Sequence, residues 1–166
     1  MTARSAGLAP VARVDALLLV LGSLPGAASL AARRYYAHPR NQFWALMGGV
    51  IGRDLTALDD EDRLAALIAA RVALSDVVAS AERRGSLDTA IRAPELSDLT
   101  GLVARLPSLR AVAFNGTAAW KLGSPILAND RALALIPLPS SSPANARLAL
   151  ERKAERWAVL ATYLHT

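Results

Sequence analysis

The chain has 166 residues, more than half of them hydrophobic, and carries a net charge of +5 with a sequence pI of about 10.4. That length and hydrophobicity exclude a disordered tail and allow one domain with a sizeable core. The lack of cysteine excludes disulfides, iron–sulfur clusters and thiol nucleophiles. Two histidines are too few for a protein-built zinc site, so no metal or cofactor is expected. Nearly all of the positive charge is arginine, which suits bidentate contacts to a polyanion, although an Arg- and Ala-rich chain can also reflect base composition.

At the N-terminus, Arg4, Arg13 and the apolar run Ala16–Leu21 imitate a signal peptide. The run is too short and Asp15 abuts it, so the expectation is a retained, cytoplasmic N-terminus. No stretch approaches transmembrane length, and no membrane partner is expected. Ala16–Leu21 instead reads as the first strand. A long connection leads to a helix with the apolar stripe Phe43, Leu46, Met47, Val50 and Ile51. Leu64, Leu67 and Ile68 mark a second helix, preceded by the acids Asp59 to Asp62 that favour a helix N-terminus. Val72–Val78, with Ser75 and Asp76 inside it, is a candidate strand. Leu99, Leu102, Val103 and Leu106 form a third helical stripe, stopped before Pro107. Ala111–Phe114 and Ala132–Leu138 read as strands buried on both faces. The last helix is predicted to start near Ala144 or Asn145 and to bury Leu150, Ala154, Trp157, Ala161 and Leu164. Strands alternating with helices predict an α/β fold, a three-layer αβα sandwich with a central, mainly parallel four-stranded sheet, in a single domain spanning 1–166.

The connection Gly22–Trp44, GSLPGAASLAARRYYAHPRNQFW, is longer than the two to six residues usual for such links. It opens with a glycine directly after a buried strand, where a ligand can approach the backbone. It then gathers two tyrosines, His38, Arg40, Asn41 and the Phe43–Trp44 pair, so that stacking surfaces, cations and amides lie together. Each predicted strand also ends in turn-forming or polar residues: Gly22-Ser23, Asp76, Asn115-Gly116 and Pro139 to Pro143. In open α/β sheets sites form outside the carboxyl ends of the strands, so these four ends are expected to line one cleft. There is no P-loop, no G-x-G-x-x-G and no serine nucleophile elbow in the chain.

GSLPG (Gly22–Gly26), YYAHPRNQFW (Tyr35–Trp44) and LPSSSPANA (Leu138–Ala146) occur in that order, with LSDVVASAERRGSLDTAI (Leu74–Ile91) and FNG (Phe114–Gly116) between them. Together they resemble the uracil-DNA glycosylase superfamily, and most of all its hypoxanthine-DNA (deoxyinosine) glycosylases. The mismatch-specific uracil glycosylases share a similar His-Pro-x-Asn-x-Phe-Trp segment. The resemblance covers nearly the whole chain. It implies a DNA base-excision repair enzyme that flips a deaminated base out of the helix and hydrolyses its glycosidic bond, hypoxanthine first, uracil or mispaired bases second. DNA containing such a base would be the partner, and the protein a monomer. Lys121 and Lys153 lie outside the motif loops, so no Schiff-base amine is expected and the enzyme should be monofunctional.

Position by position, the resemblance assigns base binding to Gly22, Ser23, Leu24, Phe43 and Asp76, and DNA contacts to His38, Arg40, Ser140, Ser141, Ser142 and Pro143. Leu24 stands where relatives usually carry a polar residue that positions water, and it can neither donate nor accept. The catalytic candidate is therefore Asn41, which could align a water or bind the departing base. It could equally cap the helix that follows. Phe43 is either the aromatic that stacks on the extruded base or the first core position of its helix. Asp76 could accept from N1–H of hypoxanthine and repel adenine, or simply end its strand. Asn115 suits a turn before Gly116. His38 could reach a phosphate or hold its loop. Leu138 replaces the histidine that stabilises the leaving base in many relatives. The three serines between prolines suit a stiff turn against phosphates or the minor groove. Other readings are a catalytically idle DNA-binding module, a mismatch-specific uracil or thymine glycosylase, and a small enzyme of free nucleotides.

Overall fold

The structure, a computed structural model, describes residues 4–82, 91–130, 132–145 and 147–165. In chain order the first half holds β1 (Arg4–Ala6), β2 (Leu18–Gly22), α1 (Ala27–Ala32), α2 (Phe43–Ile51), α3 (Asp60–Ala69) and β3 (Val72–Asp76). The second half holds β4 (Val78–Glu82), β5 (Arg92–Leu96), α4 (Leu99–Ala104), β6 (Ala111–Asn115), α5 (Thr117–Leu127), β7 (Ala134–Leu138), α6 (Leu150–Trp157) and a 3-10 helix (Ala158–Tyr163). The expected central sheet forms with all four strands parallel, in the order β3-β2-β6-β7.

Side chains alternate across a strand, and here both faces are covered. Leu18 and Val20 of β2 pack with Phe43, Met47, Leu67, Trp157 and Leu160 of α2, α3, α6 and the 3-10 helix. Leu19 and Leu21 face the other way, onto Leu99, Leu102, Ala119 and Leu127 of α4 and α5. This double burial is why the strands read as unbroken apolar runs. Local signals set the helix ends: Asp59 accepts from the Asp62 amide at 2.9 Å to start α3, and Gly52, at φ +74°, stops α2.

Two expectations differ from the structure. The final helix begins at Leu150, because residues after the serine turn close a tight turn in which the Asn145 amide donates to the Ser142 carbonyl (3.0 Å). Leu150 and Ala154 are exposed, and the buried stripe of α6 runs through Lys153 and Trp157 instead. A second, antiparallel sheet, β1-β4-β5, has no counterpart in the sequence reading. Its strands are short, β5 contains Pro94, and β4 follows β3 after a single residue, so pairing between distant segments defines it. Of the stretch Leu74–Ile91, residues 83–90 lie outside the described residues. Among the described residues no helix is long and apolar enough to cross a membrane.

Candidate active site

The carboxyl ends of β2, β3, β6 and β7 open into one cavity of about 600 Å³. All four strand-end clusters line it, with Gly22 to Gly26, Asp76, Asn115 to Ala118 and Pro139 to Asn145 contributing. The order β3-β2-β6-β7 makes this the predicted place: the chain leaves β2 towards one edge of the sheet and leaves β6 towards the other.

At the inner end, Gly22 pairs in register with Asp76 of β3. A Cβ on Gly22 would stand 2.7 Å from Asp76 Oδ1 and 3.0 Å from the Tyr36 hydroxyl, so the missing side chain makes room for both groups. Asp76 is 5% exposed. Its charge is felt by Tyr35, whose phenol pKa is pushed up first by burial and then by Asp76. The Tyr35 hydroxyl donates to the Ala9 carbonyl (2.9 Å), tying the long connection to the segment before β2.

Phe43 is 0% exposed and does not line the cavity. One face lies on Tyr36 (centroids 3.8 Å apart, planes 15° apart), and its edges meet Trp44 and Trp157. The base-stacking face expected of Phe43 is therefore unavailable; the residue is core. The half-buried Tyr36 lines the cavity instead, braced from behind by Phe43. Tyr36 adopts φ +52°, a left-handed conformation that costs a bulky residue about 1–2 kcal/mol and persists only where its surroundings hold it. The aromatic pair Tyr35–Tyr36 was visible in the sequence and both residues line the cavity, but that Tyr36 is the ring stacked on Phe43 depends on this backbone geometry.

Asn41 lines the cavity and also caps the start of α2 from one residue before the N-cap position, Gln42: its Oδ1 accepts from the amide of Phe43, the first helical residue, at 2.9 Å. The two readings coexist, because the cap uses the carbonyl oxygen and leaves the Nδ2 donors to the cavity. His38 lines the cavity too. Its Nδ1 accepts from the Arg40 amide (3.1 Å), which puts the ring proton on Nε2. Arg40 is exposed and lies outside the cavity lining.

The serine turn is locked from below. Asn115 Nδ2 donates to Ser141 Oγ, and the Ser141 amide donates to Asn115 Oδ1, both at 2.9 Å. The Gln42 amide donates to the Ser141 carbonyl (2.9 Å). Ser141 also lines the cavity, but at 1% exposure and with its amide, hydroxyl oxygen and carbonyl all engaged it serves to fasten the turn, which leaves the DNA contact expected of it to the less buried Ser140 and Ser142. Asn115, expected only to make a turn, is its partner. Ser140 and Ser142 are half-buried and line the cavity, their oxygens accepting from the Ser142 and Ala144 amides. Their hydroxyl hydrogens remain as donors, and Pro143 is exposed beside them. Gly116 at φ +99° completes the approach; a Cβ there would be 3.1 Å from that of Ser140.

Ser23 and Leu24 line the cavity and are both buried, and Leu24 packs on Val78 and Ala81. Lys121, expected to lie away from the motif loops, is exposed and lines the cavity. Because α5 starts directly after β6, position 121 falls on the same helix face as Thr117.

A family profile for the uracil DNA glycosylase superfamily matches residues 10–162. A hypoxanthine DNA glycosylase of Methanosarcina barkeri is 39% identical over 149 residues, covering 89% of this chain and 92% of its own. A hypoxanthine DNA glycosylase of Methanosarcina acetivorans is 39% identical over 142 residues, covering 86% and 89%. The solution NMR structure of a Methanosarcina acetivorans protein, provisionally described as a uracil DNA glycosylase, superposes with a TM-score of 0.87 at 36% identity, over 98% of this chain and 100% of that one. With a parallel α/β core, a cavity at its four strand ends and relatives matched along almost their full length, the chain belongs to the uracil DNA glycosylase superfamily.

Proposed function

We propose that this DNA glycosylase removes hypoxanthine from deoxyinosine in DNA, with uracil and mispaired bases as secondary substrates. The observation that carries this reading is the meeting of Asp76, Tyr36 and Asn41 in one cavity, with Asp76 and Tyr36 both beside Gly22. A base turned out of the helix would lie against the Tyr36 ring, supported by Phe43. The Asp76 carboxylate would accept the N1–H that hypoxanthine has and adenine lacks. Asn41, its oxygen engaged by the helix cap, would donate through Nδ2 to an acceptor of the base as negative charge develops there. The bond from C1′ to the base nitrogen breaks and the electron pair leaves with the base. Water adds its hydroxyl to the oxocarbenium-like carbon, and its proton ends on the base, leaving an abasic site.

Neither Leu24 nor Leu138 offers a polar atom, so the chain provides no general base or histidine at the usual positions. This favours a slow, dissociative reaction in which grip on the leaving base matters more than activation of water. Ser140, Ser142 and Lys121 at the mouth would meet DNA phosphates, with the protein acting as a monomer. The test is a panel of labelled duplexes carrying hypoxanthine, uracil, xanthine or a thymine mispair, assayed for alkali-labile strand breaks. Breaks at hypoxanthine first are expected. A stronger response to uracil or thymine moves the enzyme to the mismatch-specific branch, and no break with any of them removes the proposal.

A further inference from the structure

Lys153 sits in a helix of otherwise exposed charges, yet it is only 1% exposed. A leucine or methionine would fill the same volume without desolvating an ammonium group, so packing alone does not account for a lysine there. Burial holds its pKa below the ordinary lysine value. Its Nζ donates to Gln42 Oε1 at 2.7 Å, a short charge-assisted hydrogen bond.

Gln42 stands between the Asn41 cap and the core residue Phe43. Its backbone amide donates to the Ser141 carbonyl (2.9 Å), and its carbonyl accepts from the Leu46 amide (2.9 Å). One turn further along α6, Trp157 Nε1 donates to the Pro139 carbonyl (3.0 Å). Neither Lys153 nor Trp157 lines the cavity. The helix thus grips both walls from outside: Lys153 the Asn41 loop, Trp157 the serine turn.

We propose that Lys153 is a positioning residue for the reaction, fixing the Asn41 amide against the serine turn through its hydrogen bond to Gln42. It touches neither base nor sugar and acts only through the loop it holds. The inference rests on the role proposed above for Asn41.

The test uses Lys153→Met, Gln42→Leu and the double variant, with four readouts: single-turnover excision of hypoxanthine, Kd for DNA carrying an uncleavable deoxyinosine analogue, Tm, and hydrogen exchange of the Gln42 amide. Lys153→Met should slow excision at least tenfold with Kd within twofold and Tm near that of wild type, because removal of the buried charge offsets the loss of a donor to Gln42 Oε1. Gln42→Leu should slow it similarly, and the double variant should be no slower than the slower single one, since both break the same link. Exchange of the Gln42 amide should quicken about tenfold in Lys153→Met. A wild-type excision rate, a loss that tracks Tm or Kd, or effects that multiply would each overturn the proposal. If Lys153→Met does not fold, the Gln42→Leu rate decides in the same way. If the wild-type protein excises no base, the reading of Asn41 fails by itself; unchanged Gln42 exchange would then show separately that Lys153 does not hold the loop.

Discussion

Asn41 carries two duties on different atoms, and substitutions can separate them. Its Oδ1 caps α2 through the Phe43 amide at 2.9 Å, and its Nδ2 is the group offered to the cavity. Asn41→Ala removes both. Loss of that one hydrogen bond costs about 1 kcal/mol, which in a domain of this size lowers Tm by about 2–4 °C. Loss of one donor aimed at developing charge costs about 10²–10³ in rate. Asn41→Asp keeps an acceptor for the Phe43 amide and adds a negative charge at a helix N-terminus, so stability should match wild type within about 0.5 kcal/mol. It has no donor, however, and its charge opposes that of the departing base, so excision should fall at least as far as in Asn41→Ala. The assay is single-turnover release of hypoxanthine from a labelled duplex, with Tm measured in parallel. An aspartate variant that retains the wild-type rate would refute the donor role and favour alignment of water through the oxygen. An alanine variant that retains it would reduce Asn41 to a cap.

Asn115→Ala leaves the Ser141 amide and hydroxyl without their partner in a buried site, about 1–3 kcal/mol each. Tm should drop by about 5–15 °C, whereas Asn115→Asp, which keeps the acceptor for the Ser141 amide and can accept from the Ser141 hydroxyl once that hydroxyl turns to donate, should recover part of the loss; a drop below about 2 °C for alanine would show the clamp to be unimportant. Gly22→Ala places a methyl 2.7 Å from Asp76 Oδ1 and should cut hypoxanthine excision at least tenfold in a folded protein, since small misplacements at a reacting centre are costly; an unchanged rate would detach Asp76 from base reading. Tyr35 has its pKa raised by burial above the ordinary 10.0. The unfolded chain therefore loses its phenolic proton first as pH rises, and stability should be undiminished by this group below about pH 10 and decline above it. Denaturant unfolding of Tyr35→Phe should lack that decline, and parallel curves for the two proteins would rule the tyrosine out. Finally, borohydride should trap no covalent adduct between the protein and abasic DNA. An adduct abolished by Lys121→Ala would replace the monofunctional reading with a lyase.

The sequence by itself determined the sheet and its covering. Ala16–Leu21 and Ala111–Phe114 are apolar at every position because both faces of each strand are buried, and such runs do not depend on knowing their neighbours. The cleft was legible for a related reason: the chain turns polar where each parallel strand ends, and those ends share one edge of the sheet. Asp76 was placed at the cleft by the same logic, and Asn41 by the resemblance of its segment to the glycosylase family. Only the tertiary structure decided which atoms face it. Phe43 and Tyr36 are both aromatic and seven positions apart; burial of one and the left-handed backbone of the other assign the core and the cavity wall. Ser141 resembles its two neighbours in sequence, but Asn115, 26 residues away, engages its amide and hydroxyl and ties it down. Lys153 reads as one more surface charge in a polar helix, and only the rotation of α6 against Gln42, 111 residues earlier, buries it. Local patterns record how much of a segment is buried, whereas its partners are fixed by contacts between segments far apart in the chain.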